Sequence, residues 1–252
     1  MNREEAVLRE LNLYPLWKRR GEVAPAEAAA SHPAPLRSAA QVEVATPPQI
    51  AVEAIPEPIP AMSREQVISE LDWPELKAKV RDCTDCKLRT GCTQTVFGVG
   101  DEKAEWLFVG EGPGADEDAQ GEPFVGQAGK LLDNMLMAIK LKRGNNVYIA
   151  NIVKCRPPGN RDPDAEEVAS CLPYLQRQIE LIKPKVIVAL GKVAANALLG
   201  NDATLGSLRG KPHEYRGLPL IITYHPAYLL RTPADKAKAW QDLCLAVKIK
   251  EE

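Results

Sequence analysis

The sequence predicts an α/β protein, a three-layer sandwich whose central, mainly parallel four-stranded sheet carries helices on both faces. Two observations predict it. Four apolar runs recur at Trp106–Val109, Val147–Val153, Val186–Leu190 and Leu220–Tyr224, each continuous rather than alternating, as strands buried on both faces are. Helix-length amphipathic stretches separate and follow them, at Gln127–Lys140, Asp164–Lys183, Lys192–Leu199 and Ala234–Lys248. With 252 residues, 45% of them hydrophobic, the chain is long enough to bury a substantial core.

In chain order the sequence divides into a short motif (residues 1–23), an Ala/Pro-rich linker (24–62) and an α/β domain (63–252). In the first, Glu4 to Leu11 sets Val7, Leu8 and Leu11 on one helical face. Asn12 suits the helix end, Pro15 opens a second turn, and Leu16-Trp17 leads into Lys18-Arg19-Arg20. A helix this short is not stable alone, so it either docks on its own domain or folds on a partner. The linker holds 12 Ala and 8 Pro in 39 residues and no Gly. That composition cannot pack a core, and its prolines favour extended polyproline segments; a tether of this length spans on the order of 35 Å or more.

Charge and hydropathy exclude two classes. Thirty-two Lys and Arg against 34 Asp and Glu leave a net charge of -2, which rules out a basic coat over the whole surface but not a local basic patch. No run approaches ~18 consecutive apolar residues and the N-terminus lacks a signal-peptide hydrophobic region, so a soluble, cytoplasmic protein without a membrane partner is expected.

In parallel α/β sheets ligands bind at the carboxyl ends of the strands, so chemistry is sought just after each run. The first is followed by Gly110-Glu111-Gly112-Pro113-Gly114, then Glu117-Asp118 and Pro123-Phe124-Val125-Gly126. Glycines let backbone amides approach a ligand, but no Gly-Lys-Ser/Thr is present to cradle phosphate. The second run ends in Asn151, then Lys154-Cys155-Arg156-Pro157-Pro158, and the fourth in His225-Pro226-Ala227-Tyr228-Leu229-Leu230-Arg231. A carboxylate, a carboxamide and an imidazole therefore meet at one sheet edge.

Six cysteines supply a second constellation. Cys83 and Cys86 form a C-x2-C pair, Cys155 follows the second strand and Cys171 lies on the next helix. Four thiolates suit zinc or an iron–sulfur cluster, and spacing alone does not choose between them. Cys92 is a rival ligand; it and Cys244 otherwise read as ordinary buried thiols.

Taken together, the Gly110–Gly114, Glu117-Asp118, Pro123–Gly126, Lys154–Pro158 and His225–Arg231 motifs resemble the family-4 uracil-DNA glycosylases, over about Cys83 to Leu243. The resemblance implies the uracil-DNA glycosylase fold, excision of uracil from DNA, a cytoplasmic, nucleoid-associated location and a [4Fe–4S] cluster on Cys83, Cys86, Cys155 and Cys171. Relatives that trap uracil covalently carry a His-containing basic insertion after the Arg-Pro-Pro segment. Here that loop reads Gly159-Asn160-Arg161-Asp162-Pro163, which predicts hydrolysis instead.

Roles follow from the reaction, which needs a flipped base held by its edge and charge stabilised on both sides of the breaking bond. Phe124 is expected to stack on uracil, Asn151 to bond its edge, and the Gly110 and Gly112 backbone to help hold the departing anion. Glu111 is expected to stabilise the sugar cation and orient water, with Glu117 and Asp118 as second candidates, and His225 to donate to the uracil oxygen. Leu229 or Leu230 is expected to wedge the duplex, with Arg231 on a phosphate.

The first motif is similar to the N-terminal tail by which the psi subunit of the bacterial replicative clamp loader binds the loader's collar. The similarity rests on Leu8, Leu11, Leu13, Trp17, Arg19 and Arg20, and implies clamp-loader subunits as partners. It also sets up a different function, an accessory subunit whose glycosylase-like domain only binds. A zinc-containing nucleotide or phosphate binder is a third reading, but it leaves His225–Arg231 unexplained.

Overall fold

The computed structural model describes residues 62–251; the 1–23 motif and nearly all of the 24–62 linker lie outside them. Two capped helices begin the domain. α1 (Arg64–Glu70) and α2 (Trp73–Arg81) each open with a capping box, from Ser63 with Gln66 and from Asp72 with Glu75. They bury Ile68, Leu76 and Val80 against the core and lead into a 3-10 turn, Lys87–Thr90, next to the C-x2-C pair.

The sheet consists of β1 (Val99–Gly100), β2 (Trp106–Gly110), β3 (Val147–Asn151), β4 (Val186–Leu190), β5 (Pro212–Tyr215) and β6 (Leu218–Thr223), in the order β1-β3-β2-β4-β6-β5. The four central strands are the four apolar runs, all parallel, and β2, β3 and β4 are fully buried. The expected four-stranded sheet is corrected to six strands. The additions are antiparallel edges: β1 on β3 and β5 on β6. β1 has two residues and β5 reads Pro-His-Glu-Tyr, so neither carries an apolar run, and short polar edges resist pairing with other chains.

Helices fill both faces. α3 (Ala115–Gln120) and α4 (Gln127–Ala138) follow β2, and α5 (Ala165–Ile182) follows β3 from a capping box at Asp164 and Glu167. α6 (Lys192–Leu199) and α7 (Leu205–Leu208) follow β4, and α8 (Pro226–Arg231) and α9 (Lys236–Glu251) follow β6. One core cluster joins α1, α2 and α5 to the sheet face of Leu107, Val109 and Ile187; the other joins α4 and α9 to Phe108, Val188 and Ile221. This alternation of side chains gives the three layers. Among the described residues no helix is long and apolar enough to cross a membrane.

Candidate active site and thiol cluster

Parallel pairing brings the ends of β2, β3 and β6 to one edge. Gly110 and Asn151 are register partners, and past the strand ends Ile152 N–H donates to Gly110 O (2.9 Å) and Val153 N–H to Glu111 O (3.1 Å). These bonds fix the backbone that carries Glu111 and Asn151. His225 caps α8 directly after β6. Between them lies a cleft of about 390 Å³ lined by Glu111, Gly112, Phe124, Asn151, His225 and Arg231, among others.

Gly110 does not line the cleft itself but lies directly behind two residues that do, Asn151 and Phe124. A Cβ there would strike Asn151 Oδ1 and the Phe124 ring, so the carboxamide and the ring close over the space that glycine leaves empty. Phe124 adopts a left-handed φ of 56°, a conformation that strains a side-chain-bearing residue and persists only where neighbours impose it. Arg143 imposes it here, donating to Pro123 O (2.9 Å) and Phe124 O (2.8 Å) while bound to Asp133 (2.9 Å). The Phe124 ring lies 5.5 Å from that of His225 at 31°.

Asn151 is 2% exposed, and its Oδ1 has no hydrogen-bond partner. A buried acceptor left unpaired costs about 1–3 kcal/mol, a cost relieved by a ligand that brings an N–H. His225 Nδ1 accepts from Ala227 N–H (3.2 Å), which places the proton of the neutral ring on Nε2. Burial and the Arg231 charge, opposed by Glu117, press the imidazole down to about 4, so at neutral pH it is an uncharged donor. Glu111 moves the other way. Burial, then the charge of Asp162 and a hydrogen bond with it, push its carboxyl up to about 7.

The second candidates for water positioning are placed differently from each other. Asp118 lies outside the cleft, 5% exposed, accepting from the N–H groups of Thr93 (2.9 Å) and Gln94 (3.4 Å). Glu117 reaches the cleft, but its carboxylate accepts from Gly114, Val125 and Gly126 N–H at 2.9–3.1 Å and so ties the glycine-rich turn to the Phe124 segment. Of the two wedge candidates, Leu229 is 1% exposed and belongs to the packing beneath α8, whereas Leu230 is 44% exposed. Asp162 and Tyr228 also line the cleft and were not among the expected residues. Asp162 was within reach of sequence reasoning, since its loop follows the strand that ends in Asn151.

The Uracil DNA glycosylase superfamily matches residues 97–244. A type-4 uracil-DNA glycosylase of Archaeoglobus fulgidus is 47% identical over 167 residues, 63% of this chain and 83% of that protein. One from Pyrobaculum aerophilum is 44% identical over 183 residues, 69% and 93% respectively. The chain belongs to the type-4 uracil-DNA glycosylases. A type-5 uracil-DNA glycosylase of Pyrobaculum aerophilum is more distant, 32% identical over 148 residues, 52% of this chain and 64% of that protein.

Beside the cleft of this type-4 chain lies a narrow cavity of about 10 Å³ lined by Cys83, Cys86, Cys155 and Cys171 together with Leu88, Lys154 and Tyr174. Cys171 Sγ accepts from Lys154 N–H (3.2 Å). Burial raises the Cys171 thiol to about 11, and burial, Cys92 and the other thiols raise Cys155 further. Four sulfurs from three distant segments facing one narrow space have the donor chemistry of a polynuclear iron–sulfur group, whose iron would relieve the mutual opposition to forming thiolates. Among the described residues no three His, Cys, Asp or Glu side chains are drawn together closely enough to hold a metal ion. Cys92 sits next to Cys155 but does not line the cavity; it bonds Arg89. Cys244 is exposed on α9, which corrects its reading as a buried thiol.

Cleft and cavity share one short stretch of chain, Asn151 to Cys155. Lys154 within it is 1% exposed, its Nζ donating to Asn151 O (2.9 Å) and Gln178 Oε1 (2.7 Å), while Lys154 O accepts from Val96 N–H (2.7 Å).

Proposed function

We propose that this chain is a DNA repair glycosylase that takes uracil out of the helix and hydrolyses its N-glycosidic bond, leaving an abasic site. The observation that carries the reading is the buried, unpartnered Asn151 carboxamide between Phe124 and His225. A uracil stacked on Phe124 would give its N3–H to Asn151 Oδ1 and take a bond from Nδ2 at O4, an alternation that cytosine cannot match at both atoms.

As the C1′–N1 bond breaks, its electron pair goes to the base. Negative charge then collects on uracil O2, where His225 Nε2–H donates; one such donor is worth about 10²–10³ in rate. The sugar becomes cationic, and the Glu111 carboxylate faces it, orients a water and takes the proton that water releases on attacking C1′. The Gly112 amide assists at the base, Leu230 fills the gap in the duplex and Arg231 meets a phosphate.

A [4Fe–4S] cluster on Cys83, Cys86, Cys155 and Cys171 belongs to this reading, and when bound it would cross-link the Cys83–Cys86 segment to the end of β3 and to α5. Residues 1–23 complete it as a partner-binding motif on the 24–62 tether, with clamp-loader subunits as partners through Leu8, Leu11, Leu13, Trp17, Arg19 and Arg20. A tether of that kind raises local concentration without fixing orientation. The test of the activity is incubation of the purified chain with a uracil-containing oligonucleotide, with alkaline cleavage at the abasic sites. Cleavage at uracil and not at cytosine is expected; intact uracil strands overturn the proposal.

A further inference from the structure

We propose that Tyr228 is a nucleobase platform, the ring on which the base next to the extruded uracil stacks. This rests on the glycosylase reading above and adds a second contact with the same strand. From the cap to the end of α8, His225, Tyr228 and Arg231 recur at every third position, and all three line the cleft. Residues three apart share one face of a helix and advance about 4.5 Å along it, comparable with the roughly 3.4 Å by which successive nucleotides climb a strand. Tyr228 therefore stands between the group assigned to the base and the group assigned to a phosphate.

The Tyr228 ring is fixed from two sides. It stacks on Tyr224, the residue after β6, with ring centroids 5.1 Å apart and planes 12° from parallel. Arg209 lies over the Tyr224 ring at 5.2 Å. Arg209 in turn grips both oxygens of Asp242 on α9 (2.9 and 3.1 Å) and donates to Lys238 O (2.6 Å), and the Asp242 side chain is fully buried. At its other end the Tyr228 hydroxyl donates to Asp235 (2.7 Å), which also binds Lys238 (2.8 Å). A row of flat groups is thus anchored in the domain at Arg209 and ends at Tyr228, the member of it that lines the cleft. A ring fixed in advance avoids the ordering cost that a mobile side chain meets on binding.

Among the described residues, Phe124 and Tyr228 are the Phe, Tyr or Trp rings that line the cleft. Phe124 is buried beside His225 and suits the extruded base, whereas Tyr228 is half-buried and is left for the neighbour. Extrusion strips the neighbouring base of its stacking on one side, and an aromatic face replaces that lost contact. Every base has such a face, so the contact tolerates sequence: Asn151 reads uracil, while Tyr228 registers only that a neighbour is present. Leu230, two positions on, does not share the face of Tyr228, so a wedge there and a platform here do not compete.

Fluorescence binding by the full chain tests this, with the wild type, Tyr228→Ala and Tyr228→Phe. The probe is a single strand carrying uncleavable 2′-fluoro-deoxyuridine with 2-aminopurine as its 5′ or its 3′ neighbour. Stacking quenches 2-aminopurine, so on one of the two sides it is expected to stay dark when bound by the wild type and by Tyr228→Phe. In Tyr228→Ala its emission should rise several-fold and the affinity should fall about tenfold, the order expected for one base–aromatic stack. Removing the neighbouring base instead, with an abasic residue in its place, should weaken the wild type by about the same factor and Tyr228→Ala hardly at all. Equal emission from the wild type and Tyr228→Ala on both sides, or an abasic neighbour that leaves wild-type affinity unchanged, overturns the platform. Excision of an ordinary uracil strand by the wild type is followed in parallel: its absence overturns the glycosylase reading, whereas excision beside either of those results overturns the platform alone.

Discussion

Replacing Glu111 by Gln should stabilise the protein, and only on the alkaline side. In the fold the Glu111 carboxyl is held at about 7 instead of 4.5, first by burial and then by Asp162. Between those values the folded chain keeps a proton that the unfolded chain has given up, so stability from this site is present at low pH and is lost as pH rises through 7. At about 1.4 kcal/mol per pH unit the full displacement costs roughly 3 kcal/mol above pH 8. The side chain lines an open cleft, and solvent screening reduces this to about 1–2 kcal/mol. The Glu111→Gln substitution removes the charge while keeping the length and shape of the side chain. For a domain of this size the gain corresponds to about 3–6 °C in melting midpoint. Melting curves of the wild type and Glu111→Gln from pH 4 to 9 check it. The two midpoints should converge near pH 4.5 and separate above 7. Equal offsets at both ends, or a variant that melts lower at pH 8, would refute the argument that burial strains this carboxylate. The same variant should lose excision by orders of magnitude.

Other outcomes follow from the same geometry. His225→Ala should lower single-turnover excision about 10²–10³-fold with little change in DNA affinity, because its donor acts on charge that forms only in the transition state. Since the imidazole is pressed to about 4, the wild-type profile should show no histidine step between pH 5 and 9; a step that vanishes in His225→Gln would contradict this. Gly110→Ala should fold yet lose uracil binding, because the new methyl displaces both Asn151 and Phe124; fluorescence binding to an abasic-site or uracil strand separates recognition from general DNA affinity. Cys155→Ala should bleach the visible iron–sulfur absorption and expose the 82–97 segment to proteases, whereas Cys92→Ala should do neither. Deleting residues 1–23 should leave excision on free oligonucleotides unchanged and abolish co-purification with clamp-loader subunits.

The central strands were legible because each is an unbroken apolar run, the signature of a strand covered on both sides. β5 escaped because Pro-His-Glu-Tyr at an exposed edge has nothing to bury, and β1 because two residues make no pattern. The Asp164–Lys183 stretch was readable to within a residue at either end, since Asp164 caps it and Lys183 closes it in a left-handed turn. In the cleft, Glu111, Asn151 and His225 were legible as polar residues immediately past strand ends. The division of labour among the acidic residues was not. Glu111, Glu117 and Asp118 look alike along the chain, and only three-dimensional packing shows that backbone amides consume Glu117 and Asp118 while Glu111 stays free of them. Leu229 and Leu230 differ for the same reason: one faces the core beneath α8 and its neighbour does not.

The stretch from Asn151 to Cys155 bears on how this chain can change over evolutionary time. One end presents an amide to the cleft and the other a sulfur to the cavity, and the backbone between them is bonded to Gly110, Glu111 and Val96. Surface loops elsewhere absorb insertions, because extra length there disturbs nothing but solvent. One residue added between Asn151 and Cys155 would turn one of the two side chains away from its chamber and leave Lys154 stranded without Gln178. The stretch therefore behaves as a ruler of fixed length, and divergence in either chamber has to proceed by exchange of side chains around it.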